Sequence, residues 1–340
     1  MITTVSTQLP LEHLVHLTTP HGIYEHALFD QPRQEHGFCV DDAARALVLL
    51  CRESKHDSVA NRLLDIYLSF TLGAINERGE CHNRMNVEGF WTDEPGNGDW
   101  WGRAVWALGV AAVHAPGEPQ RARALAGFRV ASNATSPHFM SMTFAALGAG
   151  ELLLAFPDEL AAQKVLRATQ KMFALPSTSS SWLWPRPRLR YSNGSIAEAA
   201  MLTGLALGDD STVVLGIRML DFLIDIETNG EHLSVTPVEG RGPDELKPGF
   251  DQQPIEVAAL ADACARAWSI TGNSQWLTEV KRAWGWFLGD NDVGVEMFDP
   301  RTGGGYDGLQ RHGPNRNQGA ESTIAMLSTA QHAYRLGAGS

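Results

Sequence analysis

The alternation of two kinds of helix with two kinds of connection constrains this chain more than any other feature. Segments at about 41–53, 99–114, 137–155, 195–207, 254–270 and 320–336 are apolar around most of their circumference. Between them lie segments with a polar face, at about 58–75, 119–133, from Phe156-Pro157 to about Ala174, at about 211–226, and from Gly272-Asn273 through Phe287. A helix apolar on all sides is buried on all sides, whereas one with a polar stripe faces water. Short turns lead into the polar-faced helices. Long connections (Thr18–Cys39, Asn76–Gly98, Leu175–Gly194, Thr228–Gln253 and Asp290–Gln318) lead into the apolar ones. This order predicts an inner ring of buried helices inside an outer ring, with the long loops gathered at one end. Loops of that length usually carry function. Eleven helices are clear, and Leu9–Leu17 supplies a twelfth. Six hairpins then close into an all-α (α/α)6 toroid, one domain over 1–340, with short β-hairpins such as His232–Val235 at the loop-bearing rim. An open solenoid is the alternative, and it would not need long loops along one edge only.

Composition narrows the partners. The 340 residues are 44% hydrophobic and 19% charged, enough for a sizeable core. The net charge is −12 and no Lys/Arg run occurs, so no nucleic-acid partner is expected. No window approaches the ~18 apolar residues of a membrane span, so no membrane association is expected either. Met1–Leu11 lacks a secretory pattern, and Cys39, Cys51, Cys81 and Cys264 are scattered without a C-x-x-C pair. Reduced core thiols in the cytoplasm are the expectation.

The stretch His36–Leu50 puts Asp41, Asp42 and Arg45 at the mouth of an apolar helix. Carboxylates suit a helix start, through capping and the dipole. The pieces Cys39-Val40-Asp41-Asp42-Ala43-Ala44-Arg45-Ala46-Leu47, Asp99-Trp100-Trp101-Gly102-Arg103-Ala104-Val105-Trp106-Ala107-Leu108-Gly109 and Asn317-Gln318-Gly319-Ala320-Glu321-Ser322-Thr323 resemble the six-hairpin glycosidase-like superfamily. More narrowly, they resemble a bacterial group found beside or fused to glycosyltransferases. The resemblance implies carbohydrate chemistry at the loop-bearing end, mostly with inversion at the anomeric carbon, and a functional link to a glycosyltransferase. It does not fix the acid and the base.

Glycoside hydrolysis usually needs two carboxyl groups flanking the bond, one protonated and one ionised. In a closed ring the first and last inner helices are neighbours, so Asp42 and Glu321 face one another. The expected base is Asp42, reinforced by Arg45, and the expected acid is Glu321, with Asp307 on the glycine-rich loop as its substitute. Expected oligosaccharide contacts are Asp41, Arg45, Asp99, Trp100, Trp101, His138, Trp184, Glu198, Tyr306 and Gln318. Several have competing structural roles: Ser195-x-x-Glu198 reads as a capping box, Asp99 as an N-cap, and Glu256 as another cap. Indole rings offer flat faces for a pyranose, but they also pack onto a rim. No H-E-x-x-H or tight His/Cys/Asp spacing occurs, so neither metal nor cofactor is expected. Gly303-Gly304-Gly305 reads as a flexible turn. Two other readings keep the fold: a sugar epimerase/isomerase or polysaccharide lyase using His138, Tyr191 and Arg190, and a non-catalytic glycan-binding partner of a glycosyltransferase.

Overall fold

The computed structural model describes residues 9–53, 56–173 and 181–337. Residues 174–180, the first part of the connection read as Leu175–Gly194, lie outside that description, as do residues 1–8. The inner helices are α2 (Val40–Cys51), α4 (Asp99–His114), α6 (Phe139–Ala155), α8 (Asn193–Leu207), α10 (Pro254–Thr271) and α12 (Ala320–Arg335). Each packs on the next, and α12 packs on α2, so the ring closes. The outer helices are α3 (Ser58–Gly73), α5 (Glu118–Ala131), α7 (Leu160–Gln170), α9 (Asp210–Glu227) and α11 (Gln275–Leu288). The short α1 (Glu12–His16) lies against α12 and completes the sixth hairpin. The fold is therefore the (α/α)6 toroid that the alternation predicts. Among the described residues no helix is long and apolar enough to cross a membrane.

Sequence explains the closeness of the inner ring. α4 and α6 meet along glycines. A Cβ built on Gly102 would fall 2.1 Å from Ser141 O, one on Gly109 2.3 Å from Gly148 O, and one on Gly148 2.5 Å from Val105 O. Backbone thus touches backbone, and no larger residue fits without moving a helix. Outer helices bury one stripe and leave the other wet: α3 buries Leu63, Leu64, Tyr67 and Phe70 while Asp57 caps its start through the Ala60 N–H at 2.8 Å.

The long connections run into N-termini of inner helices, and four of them carry two-stranded antiparallel ribbons. Phe38–Cys39 pairs with Arg84–Met85, Thr228–Asn229 with His232–Leu233, and Gly308–Gln310 with Gly313–Asn315. The glycine triplet is not a flexible turn. Gly304–Gly305 is a strand paired with Phe298–Asp299, pressed so tightly on α12 that a Cβ at Gly305 would lie 2.5 Å from Ser322 O. Glycine is there for close approach, and it fixes the loop bearing Asp307.

Replacing Gly148 by Ala is expected to lower unfolding free energy by about 1–3 kcal/mol through overpacking. Urea denaturation monitored by circular dichroism measures the change.

Candidate active site

The first turns of the inner helices and the loops above them enclose a cavity of about 510 Å³. That is within the ~300–1,000 Å³ usual for small-molecule sites. Its lining includes Glu25, Asp41, Asp42, Asp99, Asp251, Asp307 and Glu321, against Arg45, Arg103 and the exposed His26.

The ring closure brings Asp42 and Glu321 to one guanidinium. Arg45 Nη2 donates to Asp42 Oδ1 at 2.5 Å, and Nη1 donates to Glu321 Oε2 at 2.7 Å. Asp42 is 1% exposed and also accepts from the Cys39 thiol at 3.0 Å, so both its oxygens are engaged. The Glu321 side chain is 42% exposed and open to the cavity. Burial works to lower the Arg45 pKa, but Glu321, Asp42 and Asp41 outweigh it and raise that pKa. Asp42 does not cap α2.

The next helix repeats the device. Arg103 Nε lies 3.1 Å from Asp41 Oδ1, and its guanidinium sits 4.0 Å above the Phe144 ring. Burial pushes the Asp41 carboxyl up, against the pull of Arg103 and Arg45. Asp99 follows the N-cap Gly98 and accepts from Ser141 Oγ at 2.8 Å and from the Tyr191 hydroxyl. Burial raises the Tyr191 pKa, against the pull of Arg103 and with help from Asp99, which leaves the phenol a donor.

Asp307 reaches the start of α12 from the preceding loop. Its Oδ1 accepts from the Gly319 N–H at 2.9 Å and from Ser322 Oγ at 2.6 Å. Burial raises its pKa, and those two bonds oppose the rise only in part. Glu25, Cys39 and Asp42 bring ligand atoms within 4.8 Å of one another. Arg45 engages Asp42, Arg84 engages Glu25, and burial followed by the two aspartates drives the thiol pKa well up. The trio is thus part of a hydrogen-bonded and ion-paired cluster.

Asp41, Asp42, Arg45, Asp99, Asp307 and Glu321 therefore converge, and the other expected contacts do not. Trp101 is fully buried, its indole donating to Ala131 O at 3.2 Å, and Trp184 is fully buried against Phe222. Trp100 packs on the core and donates to Cys81 O at 2.7 Å. Neither Trp101 nor Trp184 can present a face to a sugar. His138 is exposed at the N-cap of α6, outside the cavity lining. Gln318 is buried, with Oε1 accepting from Thr302 at 2.6 Å, and Tyr306 also lies off the lining. Glu198 makes no capping box: α8 starts earlier, at Asn193, and Glu198 faces the opposite mouth of the ring. Glu256 of α10 does cap, but for α8, accepting from the Ser192 and Asn193 N–H groups and from Asn193 Nδ2.

Arg103, Glu25, His26 and Asp251 are cavity residues that sequence reasoning did not select, whereas Tyr191, named there only for the epimerase or lyase reading, does line the cavity. For Arg103 a signal existed, since Asp99-x-x-x-Arg103 repeats the spacing of Asp41-x-x-x-Arg45.

No protein-family model matches the sequence, and no curated protein matches it. Solved structures do match in shape. A cellobiose 2-epimerase from Bacillus thermoamylovorans superposes with TM-score 0.71 at 12% identity, over 97% of this chain and 96% of that one. A D-mannose isomerase gives 0.68 at 10% identity, over 95% and 94%. An α-mannanase from Bacteroides thetaiotaomicron gives 0.64 at 12% identity, over 95% and 93%. All are six-hairpin glycosidase-like toroids, the architecture that the sequence resemblance implies. At these identities the likeness is one of fold.

Replacing Arg45 by Met leaves Asp42 buried beside no cation, and is expected to cost about 3–5 kcal/mol. Adding Asp42→Asn should restore part of the loss. A double-mutant cycle on urea midpoints measures the coupling.

Proposed function

We propose that the chain is a carbohydrate-active enzyme, and specifically a glycoside hydrolase that cleaves an oligosaccharide with inversion. The observation that carries this reading is the unlike setting of two carboxyls on one cavity: Glu321 is part-exposed and ion-paired with Arg45, while Asp307 is held up in pKa by burial. Paired carboxyls in contrasting environments are what acid and base roles require. Asp307 is then the general acid, giving its proton to the departing glycosidic oxygen. Glu321 is the base that takes a proton from the attacking water. Asp42, with both oxygens engaged, orients Arg45 and so Glu321. That assignment moves the base from Asp42 to Glu321 and the acid from Glu321 to Asp307. Asp99 and the Tyr191 hydroxyl offer hydroxyl contacts on the opposite wall.

An epimerase or isomerase on the same cavity is the second reading, favoured by the fold's likeness to a cellobiose 2-epimerase and a D-mannose isomerase. His138 and the exposed Arg190 lie off the cavity lining, which leaves Tyr191 and His26 to move protons in that reading. The carboxylate-rich lining weighs against a lyase for polyanions. The cytoplasmic location and the link to a glycosyltransferase stay within this proposal and rest on composition and resemblance.

An anomeric-proton NMR time course on a panel of neutral oligosaccharides tests the reaction. Hydrolysis with inverted anomer first is expected, abolished by Asp307→Asn and by Glu321→Gln with circular dichroism unchanged. An epimerised or isomerised product of unaltered chain length, or full activity in either variant, would overturn the hydrolase reading. The pH profile tests the acid. Activity requires protonated Asp307, so kcat/KM falls as pH rises through its elevated pKa. Ser322→Ala removes a bond that favours the ionised form, so the falling limb moves to higher pH.

A further inference from the structure

At the opposite end of the ring the inner helices enclose a second cavity of about 510 Å³, which the proposed reaction does not use. Its wall is a set of arginine–carboxylate pairs. Arg52 Nη1 donates to Asp262 Oδ1 at 2.8 Å, and Arg266 Nη2 reaches Glu151 and, at 3.5 Å, Glu198 Oε1. Two polar atoms are left over. Arg266 Nε and Glu198 Oε2 are buried and without a hydrogen-bond partner, and both residues line this cavity. Buried polar atoms in folded proteins normally have partners.

The leftover pair is one donor and one carboxylate acceptor. A simple anion would satisfy the guanidinium and face Glu198, and a cation would do the reverse. Arg52, Arg266 and Arg335 on the lining balance Glu151, Glu198 and Asp262, and a hydroxyl, which both donates and accepts, suits such a mixed wall better than either ion. Trp268, part-exposed, also lines the cavity and adds an apolar indole face of the kind a pyranose ring stacks on. We propose that this far-end cavity binds a neutral, hydroxyl-rich molecule of mono- or disaccharide size. A void of about 40 Å³ between this cavity and the cleft is lined by Arg45, Arg103 and Glu321 from the cleft and by Arg52 and Asp262 from the far end. That is room for a water or two along the ring axis.

The test is a titration of the full chain with D-glucose, D-mannose, cellobiose and maltose, read by tryptophan fluorescence and saturation-transfer NMR. Trp268→Ala removes the stacking face, and Ser269→Arg fills the exposed lip. Each is expected to weaken one saturable binding event at least tenfold, while turnover at the cleft is unchanged. The readout is the difference between variants, so it stands whether or not the cleft hydrolyses glycans. No saturable binding of any of the four sugars, or binding identical in wild type and both variants, would overturn the proposal. So would ordered water alone in the cavity of sugar-soaked crystals, or displacement of the event by inorganic phosphate, which would mark an anion site.

Discussion

One guanidinium holds the two ends of the ring together. Arg45 of α2 lies between Asp42 on its own helix and Glu321 on α12, the last inner helix in the chain. Desolvating such a group is costly, and its attraction to two carboxylates roughly offsets that cost. The network is thus best understood as a device that fixes geometry. It continues round the mouth: Arg103 of α4 binds Asp41 of α2, Asp99 of α4 binds Ser141 of α6, and Glu256 of α10 caps α8. Neighbouring helix starts are tied by a carboxylate at each of these joints.

The two ends of the ring differ because helices have polarity. Carboxylates suit N-termini, where free N–H groups and the dipole favour negative charge. Arginines and histidines suit C-termini, and Arg52, His114, His332 and Arg335 lie there. The cleft end therefore collects acidic groups that can act as acid, base or hydroxyl acceptor. The far end collects cations that need carboxylate partners. Loop length separates the ends as well. The long connections all enter at the cleft end, where ribbons and the Gly304–Gly305 strand hold Asp307 over α12. Among the described residues the far end has only short turns.

The helices and the ring were legible because they follow from local periodicity, which one sequence carries in full. Asp41, Asp42, Asp99, Asp307 and Glu321 were legible because carboxylates recur at the starts of apolar helices and in a long rim loop, and Arg45 because it stands one turn inside the first of those helices. What failed was everything set by a distant partner. Ser195-x-x-Glu198 has the pattern of a cap, yet α8 starts at Asn193 because Glu256, from another helix, supplies the acceptor. Trp101 and Trp184 stand beside loops, where a rim wall and a buried anchor read alike, and only the loop path shows them buried. Gly303-Gly304-Gly305 reads as slack for the same reason, because nothing local reveals that α12 lies against it.

The assignment of roles is a statement about where a sugar sits. A crystal structure of the Asp307→Asn, Glu321→Gln protein with an intact bound oligosaccharide examines it most directly. The account requires the scissile oxygen at residue 307 and, on the other face of the same sugar ring, a water held by residue 321. A glycan bound with both residues on one face of the ring, or seated away from them, would contradict it.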